Sequence, residues 1–498
     1  MTVKINENIG LLLRQRTANN AEKIFLISSD DGREWTYSEF QKAVFETAGQ
    51  FAAKGITKGD VVSLLLPNSP EYIIAYFACF CLGAVAGPIN SLLKADEIEF
   101  VVKNSDSKLL VINSIFTKAV TDITHIPQIM FDKFEPTGNI SFEPNAQIEF
   151  NDEAVIIYTS GTTGKPKGCL LTHGNLLSNA KQIADWMNFT AEDRLLTVMP
   201  LFHMNAVSVT TMSALYAGAS TVIASKFSAS RFWDIIEKYN ITSFGSVATM
   251  LSMLLSNFEA GSKYESGSLR FAMCGSAPVP ENVLKRFEET FGVLVVEGYG
   301  LSESTCRSTF NPPNNDRRPG SCGKPIGNEI KIFDNKDQEL PVGELGEIVL
   351  RGPNIFKGYY KNPEATKKAF ASGWFHTGDI GYRDPDGFFY IADRKSDMII
   401  RGGENIYPRE IDNVLYDHPS VTAAATIGVV DDLYGEEVAA FVVVRENTSE
   451  EELIEHCRKH LADFKCPKKI YFIAEIPKGP TGKLLKRELS RLLAEGKV

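Results

Sequence analysis

Short apolar runs recur between helix-like segments through most of the chain, and they constrain the fold more than any other feature. They occupy residues 61–67, 108–113, 220–224, 269–275 and 294–300. Runs this short and continuous are typical of strands that a parallel sheet buries on both faces, with helices covering them. Residues 327–360 differ, because two segments there predict hairpin strands with glycine turns. The sequence therefore predicts an α/β fold.

Chain length and a change in composition predict two domains. At 498 residues the chain is longer than one hydrophobic core usually supports. The segment just before Asp393 has the pattern of a strand, and the segment after it is polar and rich in glycine. About a hundred residues follow with their own alternation of helix and strand, which suffices for a small domain. We predict a large domain at residues 1–392 and a small domain at residues 393–498.

Charge, cysteines and hydropathy narrow the class of protein. The net charge is −10 and we find no basic patch, which argues against nucleic-acid binding. The eight cysteines have neither zinc-ligand nor redox-motif spacing, so we expect buried, reduced thiols in the cytoplasm. Residues 1–10 lack the apolar core of a signal peptide. The longest apolar segment, residues 72–90, is short for a membrane span and predicts a core helix running into a strand, with no integral membrane association.

The stretch that best indicates function is residues 158–168, YTSGTTGKPKG, which follows an apolar run. Glycines let the backbone approach an anion closely, and N–H groups, hydroxyls and lysines donate to it. A Walker A loop is excluded, because the two glycines within the loop have the wrong spacing and Pro166 follows Lys165. An exposed polar turn is the alternative reading. The ordered combination of strand, hydroxyl run and paired lysines disfavours it.

Four further motifs follow the loop. They are EGYGLSES at residues 297–304, GWFHTGDIG at 373–381, YIADRKSDMIIRGGENIYPREID at 390–412 and IPKGPTGKLLKREL at 476–489. In order and spacing the five motifs resemble the adenylate-forming superfamily: acyl-CoA synthetases, aryl-CoA ligases, luciferases and peptide-synthetase adenylation domains. Some stretches are also similar to crotonobetaine/carnitine-CoA ligases. The resemblance implies a large N-terminal domain of parallel α/β sheets with a β-barrel-like part, and a small, mobile α+β C-terminal domain.

The resemblance implies a site for ATP and Mg²⁺. Activating a carboxylate with ATP joins two anions, so we expect electrostatic preorganisation to dominate catalysis. The β- and γ-phosphates would contact loop residues, namely Thr159, Ser160, Gly161, Thr162, Thr163, Gly164 and Lys167. Glu303, next to Ser302, would hold Mg²⁺, because a hard cation prefers carboxylate oxygen. Outside this motif, a solvated surface acid would be the simpler interpretation of Glu303.

The nucleoside half of ATP is implied to lie between two other motifs. One side of the adenine pocket would be Gly275, Ser276 and Ala277, and the other Glu297, Gly298, Tyr299 and Gly300. Asp379 has two acceptor oxygens suited to the ribose hydroxyls, and Arg394 would contact the same nucleotide. A surface salt bridge is the alternative for Asp379 and Arg394.

Catalysis is implied to use both domains. Lys483, on a glycine-flanked loop, would bridge the carboxylate and the α-phosphate as negative charge shifts in the transition state. The small domain would then rotate about a hinge at Asp393 so that the thiol of coenzyme A can attack.

Further residues are implied to guide the thiol. The pantetheine tunnel would be lined by Arg401, Gly402 and Gly403, since absent side chains admit a narrow arm. His203 resembles the gate between the tunnel and the acyl pocket, with a structural histidine as the alternative. Lys226 matches a coenzyme A contact, with a solvated lysine equally open. Ile400 replaces a lysine that touches the nucleotide in many relatives, a contact that Arg401 would have to supply.

The acyl pocket disfavours α-amino acids. Residues 202–206 contain no acid to pair with an ammonium group, and an unpaired buried ammonium is costly. The candidate lining is small, apolar or mildly polar: Met204, Asn205, Val207, Ser208, Val247, Ala248 and Thr249, with Ser276 and Ala277. It favours a short- or medium-chain acid or a modestly substituted one. Malonate-type ligases carry an arginine where this chain has Gly298, which disfavours that substrate.

We therefore predict an ATP-dependent acid–CoA ligase that forms acyl-AMP and pyrophosphate, then acyl-CoA and AMP. The alternative is a stand-alone adenylation enzyme that loads the acyl group onto a carrier protein. An oxidative luciferase is less favoured, because the sequence ends AEGKV without a peroxisomal tripeptide. A silent nucleotide-binding module is disfavoured because Lys483 and Glu303 are both present. A homodimer stays open.

Substitutions at two sites should separate the two half-reactions. We expect Lys483→Ala to slow adenylation by roughly 10²-fold, the effect typical of losing one preorganised donor. The same variant should largely spare thioester formation from preformed acyl-adenylate. Gly403→Leu should do the reverse, because a side chain would block the tunnel. Pyrophosphate release measures the first step, and thioester formation from supplied acyl-adenylate measures the second. Equal loss in both steps would contradict this division of labour.

Overall fold

The computed structural model describes residues 8–136, 138, 142–144, 147–159, 166–258, 267–275, 281–446, 448–477 and 484–497. Its strands are β1 Ile24–Ser28, β2 Glu34–Thr36, β3 Val61–Leu65, β4 Val85–Pro88, β5 Leu109–Ile112, β6 Gln128–Met130, β7 Glu153–Thr159, β8 Lys167–Thr172, β9 Arg194–Thr197, β10 Ser220–Ile223, β11 Ser243–Ser246, β12 Phe271–Cys274, β13 Leu294–Tyr299, β14 Thr309–Phe310, β15 Lys324–Pro325, β16 Glu329–Phe333, β17 Gly346–Arg351, β18 Gly358–Tyr359, β19 Phe375–Arg383, β20 Phe389–Arg394, β21 Ile399–Arg401, β22 Glu404–Ile406, β23 Val421–Asp431, β24 Gly435–Val444 and β25 Lys469–Phe472.

Its α-helices are α1 Ile9–Asn20, α2 Tyr37–Ala53, α3 Pro70–Leu82, α4 Ala95–Asn104, α5 His173–Trp186, α6 Ser213–Ala217, α7 Phe232–Lys238, α8 Ala248–Asn257, α9 Glu281–Phe291, α10 Pro363–Ala369, α11 Pro408–Tyr416, α12 Glu450–His460 and α13 Lys486–Ala494. A π-helical segment covers Asn205–Met212. Short 3-10 turns cover Ser114–Val120, Ser302–Ser304, Ala371–Gly373 and Asp463–Lys465.

The larger of the two main sheets carries the predicted adenine residues. Within the described residues it has nine strands in the order β15-β14-β13-β12-β11-β9-β10-β1-β2. Neighbours from β13 to β1 are parallel, and β2, β14 and β15 pair antiparallel at the edges. Because parallel neighbours end at one edge, Gly275 after β12 and Tyr299 at the end of β13 lie at the same end of the sheet, where ligands bind in such folds.

The second main sheet flanks the glycine-rich loop. Its order among the described strands is β18-β8-β7-β4-β3-β5-β6, with β7, β4, β3, β5 and β6 parallel. Strands β7 and β8 are antiparallel, and Thr159 pairs with Lys167 across the loop. The loop therefore leads into a strand. Its phosphate contacts must come from N–H groups, hydroxyls and lysines, without the dipole of a following helix.

Helix α3 is the predicted core helix. All of its residues are buried, Ser69 caps its start by accepting from the N–H of Tyr72, and Gly83 ends it with φ of 80°. The chain then enters β4, so the prediction of a core helix running into a strand is confirmed. In the part of the chain that the structure describes, no helix has the length and apolar character of a membrane span.

Two smaller sheets complete the fold. Strands β16, β17, β19 and β20 form an antiparallel sheet, and β16 pairs with β17 as the predicted hairpin. Strands β21 to β25 form a separate sheet, which packs with α11, α12 and α13 around its own apolar clusters. The mixed α/β class and the separate C-terminal domain are thus confirmed. The position of the boundary at Asp393 stays a prediction.

The cysteines agree with their predicted role. All eight are described, buried and unpaired. Burial raises the pKa of the Cys81 thiol to about 12 and that of Cys274 to about 12. Thiols with such pKa values stay protonated and unreactive at neutral pH.

A buried histidine makes folding stability depend on pH. His173 begins α5 and is fully buried, its Nδ1 accepts from the N–H of Ile9 at 3.4 Å, and Phe80 packs edge-on against its ring. Burial lowers the pKa of His173 from 6.5 to about 4. The imidazole is therefore neutral in the folded protein at pH 5, where most of the unfolded chain carries the charged form.

We expect His173→Asn to reduce the pH dependence of unfolding. The unfolded state binds more protons than the folded state between pH 6.5 and 4. Wild type should therefore lose up to roughly 3 kcal/mol of unfolding free energy relative to the variant as pH falls through this window. Asparagine does not titrate and keeps an acceptor for Ile9. Urea unfolding of both proteins at several pH values measures the difference, and parallel profiles would contradict a neutral His173.

Candidate active site

A buried carboxylate joins two sheets at the ligand edge. Asp379 on β19 accepts a hydrogen bond from the hydroxyl of Tyr299 at 2.6 Å and forms an ion pair with Nε of Arg394 at 2.9 Å. Burial raises the pKa of Tyr299 well above its usual range, and the charge of Asp379 adds to the rise. The phenol therefore stays protonated and donates. The three predicted nucleotide residues meet here.

A second group links the predicted metal acid to the predicted phosphate lysine. Oε1 of Glu303 accepts from the hydroxyl of Tyr359 at 2.9 Å, and Nζ of Lys167 lies 5.4 Å from the centroid of the same ring. Tyr359 belongs to β18, which pairs with β8, the strand that begins at Lys167. Burial raises the pKa of Tyr359, and the charge of Glu303 adds to it. One phenol therefore orients Glu303 beside Lys167.

The acidic residues fit a Mg²⁺ ion that ATP brings with it. Among the described residues, no group of three or more His, Cys, Asp or Glu side chains could hold a metal by itself. Mg²⁺ in nucleotide sites needs only one or two carboxylates, because phosphates and waters complete its ligands. Glu303 offers such a carboxylate, held in place by Tyr359.

The turn that follows Glu303 is strained. Thr305 has φ of 66° and ψ of −49°, which β-branched residues rarely adopt. The N–H of Cys306 donates to the carbonyl of Ser304 at 2.8 Å, so the three residues form the strained type of γ-turn. Such strain costs about 1–3 kcal/mol and persists only where surrounding contacts fix it.

Asn354 provides those contacts. The hydroxyl of Thr305 donates to the Asn354 carbonyl at 2.7 Å. Nδ2 of Asn354 donates to the carbonyls of Ser304 and Arg307, each at 3.2 Å. Asn354 is fully buried. Since the turn begins one residue after Glu303, Asn354 fixes where that carboxylate lies.

The other predicted adenine residues line the same sheet edge. Gly298 and Gly300 flank Tyr299, and Gly275 follows β12 next to them. Glu297 is buried, its carboxylate accepts from the N–H of Gly320 at 2.9 Å, and burial raises its pKa to about 7. This contact lies within the protein, so a nucleotide role for Glu297 stays a prediction.

Several predicted residues lie outside the described residues. They are Ser160, Gly161, Thr162, Thr163, Gly164, Ser276, Ala277 and Lys483. The flanking residues Thr159 and Lys167 are described, and they form the last pair of the β7–β8 ladder. The mouth of the predicted phosphate loop is therefore fixed beside Tyr359.

The predicted acyl residues come from two elements that touch. Met204 precedes the π-helical segment Asn205–Met212, which contains Asn205, Val207 and Ser208, all of them buried. Val247 caps α8, whose first residues are Ala248 and Thr249. Oδ1 of Asn205 lies 3.0 Å from where a Cβ on Gly245 would stand, so the π-helical segment lies against the strand that leads to Val247. Single π-helical turns occur frequently at functional sites.

The predicted gate residue is a neutral imidazole. The ring of His203 packs against Phe202 with centroids 4.6 Å apart, and burial lowers its pKa to about 4. Its Nε2 is buried without a hydrogen-bond partner in the described structure. Lys226 is exposed, as the solvated-lysine alternative requires.

The predicted tunnel residues lie on the C-terminal domain. Nε of Arg401 pairs with Glu437 at 2.7 Å. Gly402 and Gly403 have φ of 59° and 92°, a left-handed region that favours glycine. This turn therefore requires glycines for a backbone reason that is independent of any tunnel. Ile400 is half exposed, and its N–H donates to Glu436.

Sequence reasoning missed Tyr359, Asn354 and Arg307. The first two lie in the stretch RGPNIFKGYY, residues 351–360, which we treated only as part of a hairpin region. Arg307 lies among small residues in STCRSTF, residues 304–310, directly after a recognised motif. A single arginine within a buried, small-residue stretch was the available signal.

Comparison with known families agrees with this site. Residues 13–360 match the family described as AMP-binding enzyme, and residues 410–483 match the AMP-binding enzyme C-terminal domain. The chain is 34% identical over 501 residues to sulfoacetate–CoA ligase of Cupriavidus necator, covering 98% of both chains. It is 37% identical over 461 residues to oxalate–CoA ligase of Arabidopsis thaliana, covering 89% of this chain and 90% of the relative.

A solved structure of a relative supports the fold at full length. The o-succinylbenzoate–CoA synthetase of Bacillus subtilis, in complex with its acyl-adenylate intermediate, superposes with a TM-score of 0.88 at 34% identity, covering 97% of this chain and 98% of that one. The same enzyme has also been solved in complex with ATP and magnesium ion, with a TM-score of 0.86 at 34% identity, covering 96% of this chain and 99% of that one.

We expect Asn354→Ala to disturb the position of Glu303. The substitution leaves buried carbonyls unpaired, so the free energy of unfolding should fall by about 1–3 kcal/mol. ATP-dependent pyrophosphate release should lose at least about 10-fold in kcat/KM for ATP, because the strained turn relaxes. Asn328→Ala is the matched control, since Asn328 is also buried but its amide makes no hydrogen bond among the described residues. Equal activities of the two variants would contradict the positioning role.

Proposed function

Because the chain belongs to the AMP-binding enzyme family, we infer that it is an ATP-dependent acid–CoA ligase. It forms acyl-AMP and pyrophosphate from a carboxylic acid and ATP, and then acyl-CoA and AMP. Its reaction uses ATP, Mg²⁺ and coenzyme A. The observation that carries this function is the buried Tyr299–Asp379–Arg394 group, which lies four residues along the chain from Glu303 and its partner Tyr359.

Asp379 is suited to bind the ribose of ATP. Tyr299 donates to one carboxylate oxygen and Arg394 pairs with the other. Each carboxylate oxygen has two acceptor positions, so both can still accept from a ribose hydroxyl. Arg394 also balances the buried negative charge, which would be costly alone. Tyr299 presents its ring at the end of β13, where it would lie against the adenine.

The phosphate end requires positive charge beside a metal acid. Mg²⁺ bound with ATP neutralises phosphate charge, and Glu303 would be its protein ligand. Lys167 would bind phosphate oxygens directly. Tyr359 keeps the two side chains at a fixed separation, because its hydroxyl bonds Glu303 and its ring faces Lys167. Phosphate charge is thereby balanced by groups already in position, as electrostatic catalysis requires.

We place the domain hinge at Asp393. Its Oδ1 accepts from the N–H of Arg394 at 2.7 Å, and its Oδ2 accepts from the N–H of Arg409 at 2.8 Å, in the first turn of α11. The Arg409 side chain donates to the carbonyl of Ile391. A carboxylate is stabilised at a helix N-terminus, so this contact favours one arrangement of the two domains. Rotation of the small domain would break it.

Each half-reaction would use a different face of the small domain. Lys483 would bridge the carboxylate and the α-phosphate in the first. Arg401, Gly402 and Gly403 would line the path of the thiol in the second, with His203 as the gate. The neutral imidazole of His203 supports this role, because an uncharged ring can rotate without leaving a buried cation.

The acid pocket supports a short- or medium-chain acid or a modestly substituted one. Its π-helical wall is buried and contributes small or mildly polar side chains. The relatives are named for quite different acids, so they do not fix the substrate. Eight reduced, buried thiols support a cytoplasmic location. A carrier-protein acceptor and a homodimer remain alternatives to free coenzyme A and a monomer.

One assay tests the function and its rival. Enzyme, ATP, Mg²⁺ and a panel of carboxylic acids are incubated with coenzyme A or with a phosphopantetheine-bearing carrier protein. We expect AMP, pyrophosphate and an acyl-CoA thioester with free coenzyme A. Asp379→Ala should reduce kcat/KM for ATP by about 10- to 100-fold through loss of the ribose contacts, while the exposed control Asp386→Ala stays near wild type. Thioester formed only on the carrier would contradict the ligase assignment.

A further inference from the structure

Arg307 is a buried cation that the reaction described above does not use. It follows the strained turn, and only 2% of its surface is exposed. Its Nη1 makes a long, 3.4 Å contact with the carbonyl of Cys306, and its Cζ lies 5.4 Å from the centroid of the Phe310 ring. Nε and Nη2 are buried without a hydrogen-bond partner, and no carboxylate within the described residues pairs with the guanidinium.

An unpaired guanidinium in this position calls for an anion. Arginine stays charged at all physiological pH values and carries five donors. A buried charge without a partner is costly, and buried polar groups without partners are rare in native proteins. The apolar contact with Phe310 compensates only in part. The missing partner is therefore a ligand group.

The guanidinium lies where a ligand would pass. A Cβ on Gly275 would stand 2.4 Å from Nη2 of Arg307 and 2.9 Å from the carbonyl of Gly298. Gly275 is thus the residue that leaves room for the arginine. Both glycines belong to the wall of the predicted pocket, next to Tyr299. The cation accordingly faces the same cavity edge as the nucleotide residues.

Arg307 is also tied to the acyl side of the pocket. Oδ1 of Asn179 accepts from the N–H of Arg307 at 3.3 Å and from the hydroxyl of Ser208 at 3.0 Å. Both Oδ1 and Nδ2 of Asn205, on the same π-helical segment as Ser208, are buried without partners in the described structure. A charged donor and a free amide thus occur together in a pocket that is otherwise apolar.

We propose that Arg307 and Asn205 form a subsite for a second anionic group on the acid. The substrate class is then a short carboxylic acid with a carboxylate or sulfonate at its far end. One carboxylate would be activated at the α-phosphate, and the other group would pair with Arg307. This inference rests on the proposed ligase function. It also modifies the argument from Gly298, because the arginine reaches the pocket from a different position in the chain.

Matched acids test the subsite. Succinate and succinamate have nearly the same shape but differ by one negative charge, and butyrate provides a neutral end. Sulfoacetate tests whether a sulfonate serves as well as a carboxylate. Wild type should prefer succinate or sulfoacetate to succinamate and butyrate in coenzyme A-dependent AMP formation. A preference of wild type for the monoanionic acids would overturn the proposal without any variant.

Substitution of the arginine assigns the preference. Arg307→Met should lower kcat/KM for the dianionic acids by about 10- to 100-fold and change it less than about 3-fold for butyrate. Arg307→Lys should recover part of the loss. Asn205→Asp should also suppress the preference, because its carboxylate competes for the guanidinium. Thermal unfolding of each variant verifies folding.

The outcomes separate the two proposals. If no acid yields a thioester with wild type, the ligase function fails. If monoanionic acids yield one and Arg307→Met changes all acids equally, the subsite alone fails. A rise in KM for ATP that is the same for every acid would instead assign Arg307 to the nucleotide and overturn the inference.

Discussion

Two phenolic hydroxyls determine how the sheets of the large domain meet. Tyr299 ends a strand of the nine-stranded sheet and donates to Asp379 on the antiparallel sheet, while Tyr359 on the other main sheet donates to Glu303. Each hydroxyl is buried with a carboxylate, so each hydrogen bond is stronger than in water and costly to break. Nucleotide and metal residues from three separate sheets therefore keep fixed positions before any substrate arrives, which is the requirement for electrostatic catalysis.

Local patterns in the sequence predict the elements well. Helix α3 was predictable because an apolar run begins at a serine cap and ends at Gly83, and the buried strands were predictable because their runs are short and continuous. The contacts made by Tyr359 and Asn354 were not predictable. They join residues 56 and 50 positions apart in the chain, and no local rule specifies such pairs.

The glycine-rich loop shows a limit of motif reasoning. Its composition indicated phosphate binding, and strands β7 and β8 hold its two ends at a paired register. The motif does not reveal that the loop closes a hairpin. A hairpin offers no helix dipole, so the same donors must work with side-chain charge. Lys167 and its neighbour Tyr359 therefore carry more of the electrostatic role than the letters of the motif imply.

The π-helical wall of the acid pocket has a consequence for how this enzyme could diversify. Each residue added to or removed from a helix rotates everything beyond it by about 100°. Asn205–Met212 already accommodates extra backbone, so losing one codon there could tighten it into an ordinary helix without disturbing α6. Such a deletion would exchange which side chains face the bound acid in one event. Substrate range in this lineage could thus change by insertion and deletion as well as by point substitution.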